Sequence, residues 1–202
     1  MKQGVIDPAT VAARTGTWAE LAPLIASCQA CGELAASRTQ VVVGEAPQSA
    51  RLALVGEAPG AAEDAEGRPF VGKAGQLLDR LLGEVGLDRC QVAVLNALKC
   101  RPPGNRTPKP AEIERCRPWL TRQLELIQPD YVVALGVTAT AWFLGKRITL
   151  AAVRGQVHEV GSWRVVPTYH PSAAIRFGPN GAPLAALRDD LARVATLLAE
   201  AP

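Results

Sequence analysis

No apolar run in this 202-residue chain approaches the roughly 20 residues that a helix needs to cross a bilayer, so a helical membrane protein is not expected. The first 27 residues carry Asp7 and Glu20 and lack a basic start followed by an apolar core, so no secretory signal is read there. No Ser- or Gly-rich linker divides the chain, and one domain over residues 1–202 is expected at this length. Neither sign of charge dominates. The 22 Lys and Arg against 19 Asp and Glu leave a net +3, which permits a nucleic-acid partner without demanding one. Histidine is scarce, with only His158 and His170.

Cysteine is what the chain does have, in a pattern that needs an explanation. Five thiols, an odd number, without an export signal argue for a reducing compartment and a metal site over a disulfide framework. In Cys28-Gln29-Ala30-Cys31, two intervening residues let both thiolates turn onto one centre. Cys100 and Cys116 lie far along the chain with fifteen residues between them, and a shared centre would pin the N-terminal segment to the middle of the protein. Four thiolates suit zinc or an iron–sulfur cluster alike, and spacing does not decide, because the second pair is not a C-x2-C knuckle.

Strand and helix patterns alternate. Residues 51–55, 91–95, 131–135 and 163–168 are short apolar runs that end at Gly56, Asn96, Gly136 and Tyr169-His170-Pro171. Between them lie helical stripes: Leu77, Leu78, Leu81 and Leu82, then Ile113, Trp119, Leu120 and Leu124 interrupted by Pro118. Leu184, Leu187, Leu191, Val194 and Leu198 form a final amphipathic helix. This order predicts an α/β fold, a three-layer α/β/α sandwich around a four-stranded parallel sheet. Ligands of such sheets bind outside the carboxyl ends of the strands. Glu57, Asn96 and His170 arrive there from three distant parts of the sequence. Each alone reads as a solvated carboxylate, a strand-end cap or a hydrogen-bonded core imidazole. Together they suggest a site that reads the edge of a flat heterocycle.

Two stretches imitate function. Gly44-Glu45-Ala46-Pro47 repeats Gly56-Glu57-Ala58-Pro59 but lacks the second glycine of the later copy, and reads as a hairpin-like or connecting loop. Gly67-Arg68-Pro69-Phe70-Val71-Gly72-Lys73-Ala74 nearly matches a phosphate-cradling loop. Ala74 stands where a magnesium-binding hydroxyl is required, and Pro69 removes a backbone donor.

Taken in order, Gly56-Glu57-Ala58-Pro59-Gly60, residues 67–75, Asn96-Ala97-Leu98-Lys99-Cys100-Arg101-Pro102-Pro103 and His170-Pro171-Ser172 resemble the family 4 uracil-DNA glycosylases, from about Cys28 to the C-terminal helix. The resemblance implies a structural four-iron, four-sulfur cluster on Cys28, Cys31, Cys100 and Cys116, with Cys90 left over as a packed thiol. It implies that uracil is flipped out of DNA and its N-glycosidic bond hydrolysed by a monofunctional enzyme. Phe70 would stack on the ring and Asn96 would read N3–H and O4. His170 would hydrogen-bond O2, Glu57 would position or activate water, and backbone donors around Ala58 and Gly60 would help hold the base.

For the duplex, Lys99, Arg101, Arg106, Lys109, Arg115 and Arg117 form a basic cluster around the third and fourth cysteines, against the plainer reading of a solvated charged face. Ile175, followed by Arg176, stands where superfamily members insert a loop into the minor groove, and is the expected wedge. A related branch captures DNA covalently through a histidine in the loop after the Asn motif; residues 101–107 contain none, so covalent capture is not expected, and His158 is given no role. The expected partner is uracil-containing DNA, double- or single-stranded, met by a monomer in a prokaryotic cytoplasm, associated with the nucleoid, with no membrane involved. The Ala-, Arg- and Leu-rich composition agrees with a GC-rich prokaryote. The competing reading is a non-catalytic, metal-stapled nucleic-acid-binding module, which would need the cysteines and basic loop but not Glu57 or His170.

Overall fold

Leu52–Gly56 (β1) is apolar at four of its five positions and buried along its whole length, as a strand covered on both faces must be. It is an interior strand of the sheet in a computed structural model that describes residues 7–145 and 149–201. β1 pairs in parallel with Ala93–Asn96 (β2) on one side and Tyr131–Leu135 (β3) on the other. Two further strands follow, His158–Val160 (β4) and Trp163–Thr168 (β5), and β3 pairs in parallel with β5.

The sheet has five strands, in the order β2-β1-β3-β5-β4, rather than the four expected from the sequence. The four parallel strands are those read from the apolar runs. The fifth, β4, is an antiparallel edge strand joined to β5 by Gly161-Ser162, with φ +60 at the glycine, as a tight primed hairpin turn favours. At three residues and only partly buried, β4 carries no apolar run to betray it.

Helices cover both faces. Pro8–Ala12 (α1), Trp18–Ala26 (α2) and Gly32–Ser37 (α3) precede the sheet, and Ala61–Glu66 (α4) and Lys73–Glu84 (α5) follow β1. Pro110–Ile127 (α6), Gly136–Leu144 (α7) and Leu150–Val153 (α8) come next, then Pro171–Phe177 (α9) and Ala182–Glu200 (α10). Alternate strand residues point to opposite faces. Ala53, Val55, Leu95, Val132 and Ala134 pack with Leu21, Ile25, Trp119 and Leu120 of α2 and α6. Leu54, Val94, Val133 and Val166 pack with Leu78, Leu81, Leu187 and Leu191 of α5 and α10. Pro118 does not interrupt α6, which runs through it for 18 residues, anchored by buried Ile113 and Cys116 before that turn and by fully buried Trp119, Leu120 and Leu124 after it. No helix among the described residues is long and apolar enough to cross a membrane. The parallel strands therefore deliver Glu57, Asn96, Gly136 and His170 to one rim.

Candidate active site

Glu57, Ala58, Gly60, Phe70, Asn96 and His170, spread over more than a hundred residues, all line one cavity of about 280 Å³ at this rim. The loop after β1 is fastened to the segment after β2, Ala97 N donating to Gly56 O and Leu98 N to Glu57 O, each at 2.9 Å. Gly56 makes the cavity floor possible: a Cβ there would lie 2.5 Å from Asn96 Oδ1 and 2.6 Å from Phe70 Cζ.

His170 caps the N-terminus of α9. Its Nδ1 accepts from the Ser172 backbone N–H at 3.1 Å and lies 2.8 Å from Ser172 Oγ. A neutral imidazole accepting at Nδ1 carries its proton on Nε2. Burial holds the ring pKa down to about 4, with the Glu63 charge pulling weakly the other way, so the ring is neutral at pH 7. The imidazole approaches β3 closely because Gly136, at φ +88, has no side chain; a Cβ there would sit 2.9 Å from His170 Cβ. The Phe70 ring stands 5.6 Å away at 31° to the imidazole plane.

Asn96 is buried at the end of β2, and its backbone carbonyl accepts from Lys99 Nζ at 2.9 Å. Lys99 itself is 1% exposed, with its ammonium held down to about pKa 8 by burial, so it is withdrawn from the basic cluster read from the sequence. Phe70 has an unusual backbone for a bulky residue, φ +51.

Two participants were not read from the sequence. Thr138, in the first turn of α7, donates its hydroxyl to Glu57 Oε2. Glu63, in α4, takes the Gly60 N–H on one oxygen at 3.0 Å and the Val71 and Gly72 N–H groups on the other at 2.9 Å each. The Gly60 amide is therefore bonded to protein, and Gly60 lines the cavity as wall. The same carboxylate occupies the amides that a phosphate-cradling loop would offer an anion, which explains why residues 67–74 imitate that loop without its chemistry. The only available signals were a small polar residue just past a strand end and a carboxylate three residues after a glycine.

Glu45, in the earlier Gly-Glu-Ala-Pro copy, bridges to Val94 at the sheet edge and holds Arg68 at 2.6 Å and Arg89 at 3.2 Å. That copy is connecting structure.

Cys28, Cys31, Cys100 and Cys116 line a second, smaller cavity. All four are free thiols, and burial pushes Cys100 up to about 11 and Cys116 up to about 12. Arg38 Nη1 donates to Cys100 Sγ at 3.0 Å, and Trp119 Nε1 points to Cys28 Sγ at 3.4 Å. Among the described residues no group of three or more His, Cys, Asp or Glu is arranged to hold a single metal ion. The donor set is nonetheless four sulfurs around one space with N–H donors aimed at two of them, which suits a thiolate-bound group. Cys90 lies on the surface in a turn beside Asp88 and is not a packed thiol.

The cationic residues divide. Arg106 is bonded to Glu112 at 2.6 Å and Glu33 at 3.1 Å, and Lys109 to Glu33 at 2.5 Å, which ties α3 to the loop before α6. Arg101 donates to Asn105 at 2.7 Å, and Arg117 pairs with Glu114 and stacks over Trp142 at 4.4 Å. On α9, Ile175 and Arg176 are exposed, as is Phe177, which the sequence reading passed over.

The family model described as the Uracil DNA glycosylase superfamily matches residues 43–192. A type-4 uracil-DNA glycosylase of Thermotoga maritima is 46% identical over 158 residues, covering 77% of this chain and 82% of that protein. One from Archaeoglobus fulgidus is 43% identical, covering 75% and 79%, and one from Sulfurisphaera tokodaii is 40% identical, covering 77% and 74%.

Proposed function

This chain belongs to the type-4 branch of the uracil DNA glycosylase superfamily, and on that premise we propose that it excises uracil from DNA and leaves an abasic site. The observation that carries the reading is the neutral His170, protonated on Nε2, lining one cavity with Asn96, Phe70 and Glu57.

A base in a duplex must leave the stack to be reached, at a cost of a few kcal/mol. Phe70 would recover roughly 1–3 kcal/mol by stacking on it. The Asn96 amide presents an acceptor and a donor that suit uracil N3–H and O4. Cytosine reverses that order, so a fixed amide rejects it. As the glycosidic bond breaks, negative charge grows on O2 of the departing base. The His170 Nε2–H would meet that charge without a proton first having to be moved. Glu57 would orient the attacking water, and its charge would favour the cationic sugar.

Cys28, Cys31, Cys100 and Cys116 would hold a four-iron, four-sulfur cluster. Bound there, the cluster would cross-link the start of α3, the segment after β2, and α6, leaving bond cleavage to the rim residues. Purified protein that is brown with broad visible absorption supports iron; colourless protein with one zinc overturns it. On the DNA side, Arg101 and Arg176 would meet phosphates and Ile175 would enter the base stack, while Arg106 and Lys109 would shape the loop that carries Arg101. Action as a monomer is part of the same reading. The bacterial and archaeal relatives support a prokaryotic cytoplasm, and association with the nucleoid would follow from a DNA substrate.

The test is a labelled oligonucleotide with one uracil against the same strand with thymine, each treated with alkali after incubation. Breaks only in the uracil strand, and only after alkali, are expected. No breaks from protein with a loaded cysteine site would overturn the reading in favour of a binding module.

A further inference from the structure

Phe70 is one of three non-glycine residues with positive φ among those described, and it lines the cavity. A bulky residue keeps that backbone only where its surroundings hold it. The holding groups are visible on both sides. Arg89 Nη1 donates to the Phe70 carbonyl at 3.1 Å, and Nη2 donates to the Pro69 carbonyl at 2.6 Å. Behind the guanidinium, Asp79 at 2.9 Å and Glu45 at 3.2 Å fix its plane. On the other side Glu63 holds the next two amides, Val71 and Gly72. Below, Gly75 lets α5 pass so close that a Cβ would lie 1.7 Å from the Phe70 carbonyl oxygen.

We infer that Arg89 is a positioning residue that sets the angle and height of the Phe70 ring, and so governs how firmly the extruded base is stacked; this rests on Phe70 being the stacking residue. Arg89 is not among the residues lining the cavity, so it does not touch the base itself. Two consecutive carbonyls need two donors at a fixed separation, which the planar guanidinium supplies and the single ammonium of lysine does not. Arg89 opens the turn that leads into β2, so one short segment both anchors the aromatic platform and delivers Asn96 opposite it. The earlier Gly-Glu-Ala-Pro copy thereby has a purpose: its Glu45 braces Arg89.

The experiment compares Arg89→Gln and Arg89→Lys, each in the native and the Phe70→Ala background. Single-turnover excision from a uracil oligonucleotide and inhibition by free uracil are both measured. Arg89→Gln is expected to slow excision about tenfold and to weaken uracil inhibition by a similar factor, the scale of losing charged hydrogen bonds. Arg89→Lys should restore little of it. In the Phe70→Ala background, Arg89→Gln should change either quantity less than about twofold, because coupled residues are non-additive. Full multiplication of the two effects would overturn the inference, as would native uracil inhibition in Arg89→Gln. Asp79→Asn, which loosens the guanidinium without removing it, is expected to give a weaker form of the same pattern; native behaviour there, should Arg89→Gln not fold, overturns it too. Phe70→Ala alone with native rate and inhibition would remove the stacking reading, and this inference with it, by a result that involves no change at Arg89.

Discussion

The Thr138 hydroxyl donates a hydrogen bond to Glu57 Oε2 across 81 residues of sequence, joining the first turn of α7 to the end of β1. The bond fixes the rotation of a carboxylate that would otherwise swing freely at the mouth of the cavity. It also brings a fourth strand end, that of β3, into the site.

Thr138→Val keeps the shape and deletes the donor. A hydrogen bond to a charged group contributes about 1.5–3 kcal/mol, so the maximal rate should fall roughly 10- to 150-fold. KM should stay near native, since nothing that holds the base has changed. Steady-state kinetics on a uracil oligonucleotide checks this, and a changed KM with unchanged kcat would count against a role through Glu57.

The pH response follows from His170. An unfolded histidine titrates near 6.5, and the folded ring near 4. Between those values the unfolded chain binds the extra proton, so stability is full above about 6.5 and declines as pH falls towards 4. No imidazolium forms in the native site near neutrality, so kcat/KM should show no acid limb at 6.5 belonging to this residue. NMR titration of the ring with a midpoint near 6.5 would contradict the burial argument.

Gly75→Ala tests the close approach beneath Phe70. In an ordinary exposed helix interior this change gains about 1 kcal/mol. Here the new Cβ meets the Phe70 carbonyl oxygen at 1.7 Å, so the sign should reverse. A lowered melting temperature together with lost excision is expected, and a stabilised, active variant would refute the contact.

The two kinds of cation should separate under salt. Arg176→Ala should weaken DNA binding and reduce the slope of log K against log salt by about 1, as loss of one phosphate contact does. Arg106→Ala should leave that slope unchanged and lower the melting temperature, because its partners are Glu33 and Glu112. Equal slope changes in both would return Arg106 to the DNA surface. Binding isotherms at several salt concentrations and thermal melts decide it.

Much of this was legible along the chain because it depends on local pattern. Buried parallel strands must be continuously apolar, so β1, β2, β3 and β5 stood out, and with them the rim that carries Glu57, Asn96 and His170. β4 did not, since a short half-exposed edge strand needs only a partner, not a hydrophobic run. The basic cluster divides for a related reason: a charge count cannot tell that Lys99 is buried or that Arg106 already has two carboxylates.

By itself the sequence determined the layered α/β architecture and the residues at the strand ends, because each follows from residue type and spacing, while the grouping of four thiols apart from Cys90 came from the resemblance of whole motifs. Tertiary structure alone decided what holds those residues in place. Thr138 on Glu57, Arg89 and Glu63 around the Phe70 loop, and Gly136 under His170 are pairings between segments distant in sequence. A hydrogen bond or a missing Cβ acts over a few ångströms in space, and no periodicity in the chain encodes which distant segment will lie at that distance.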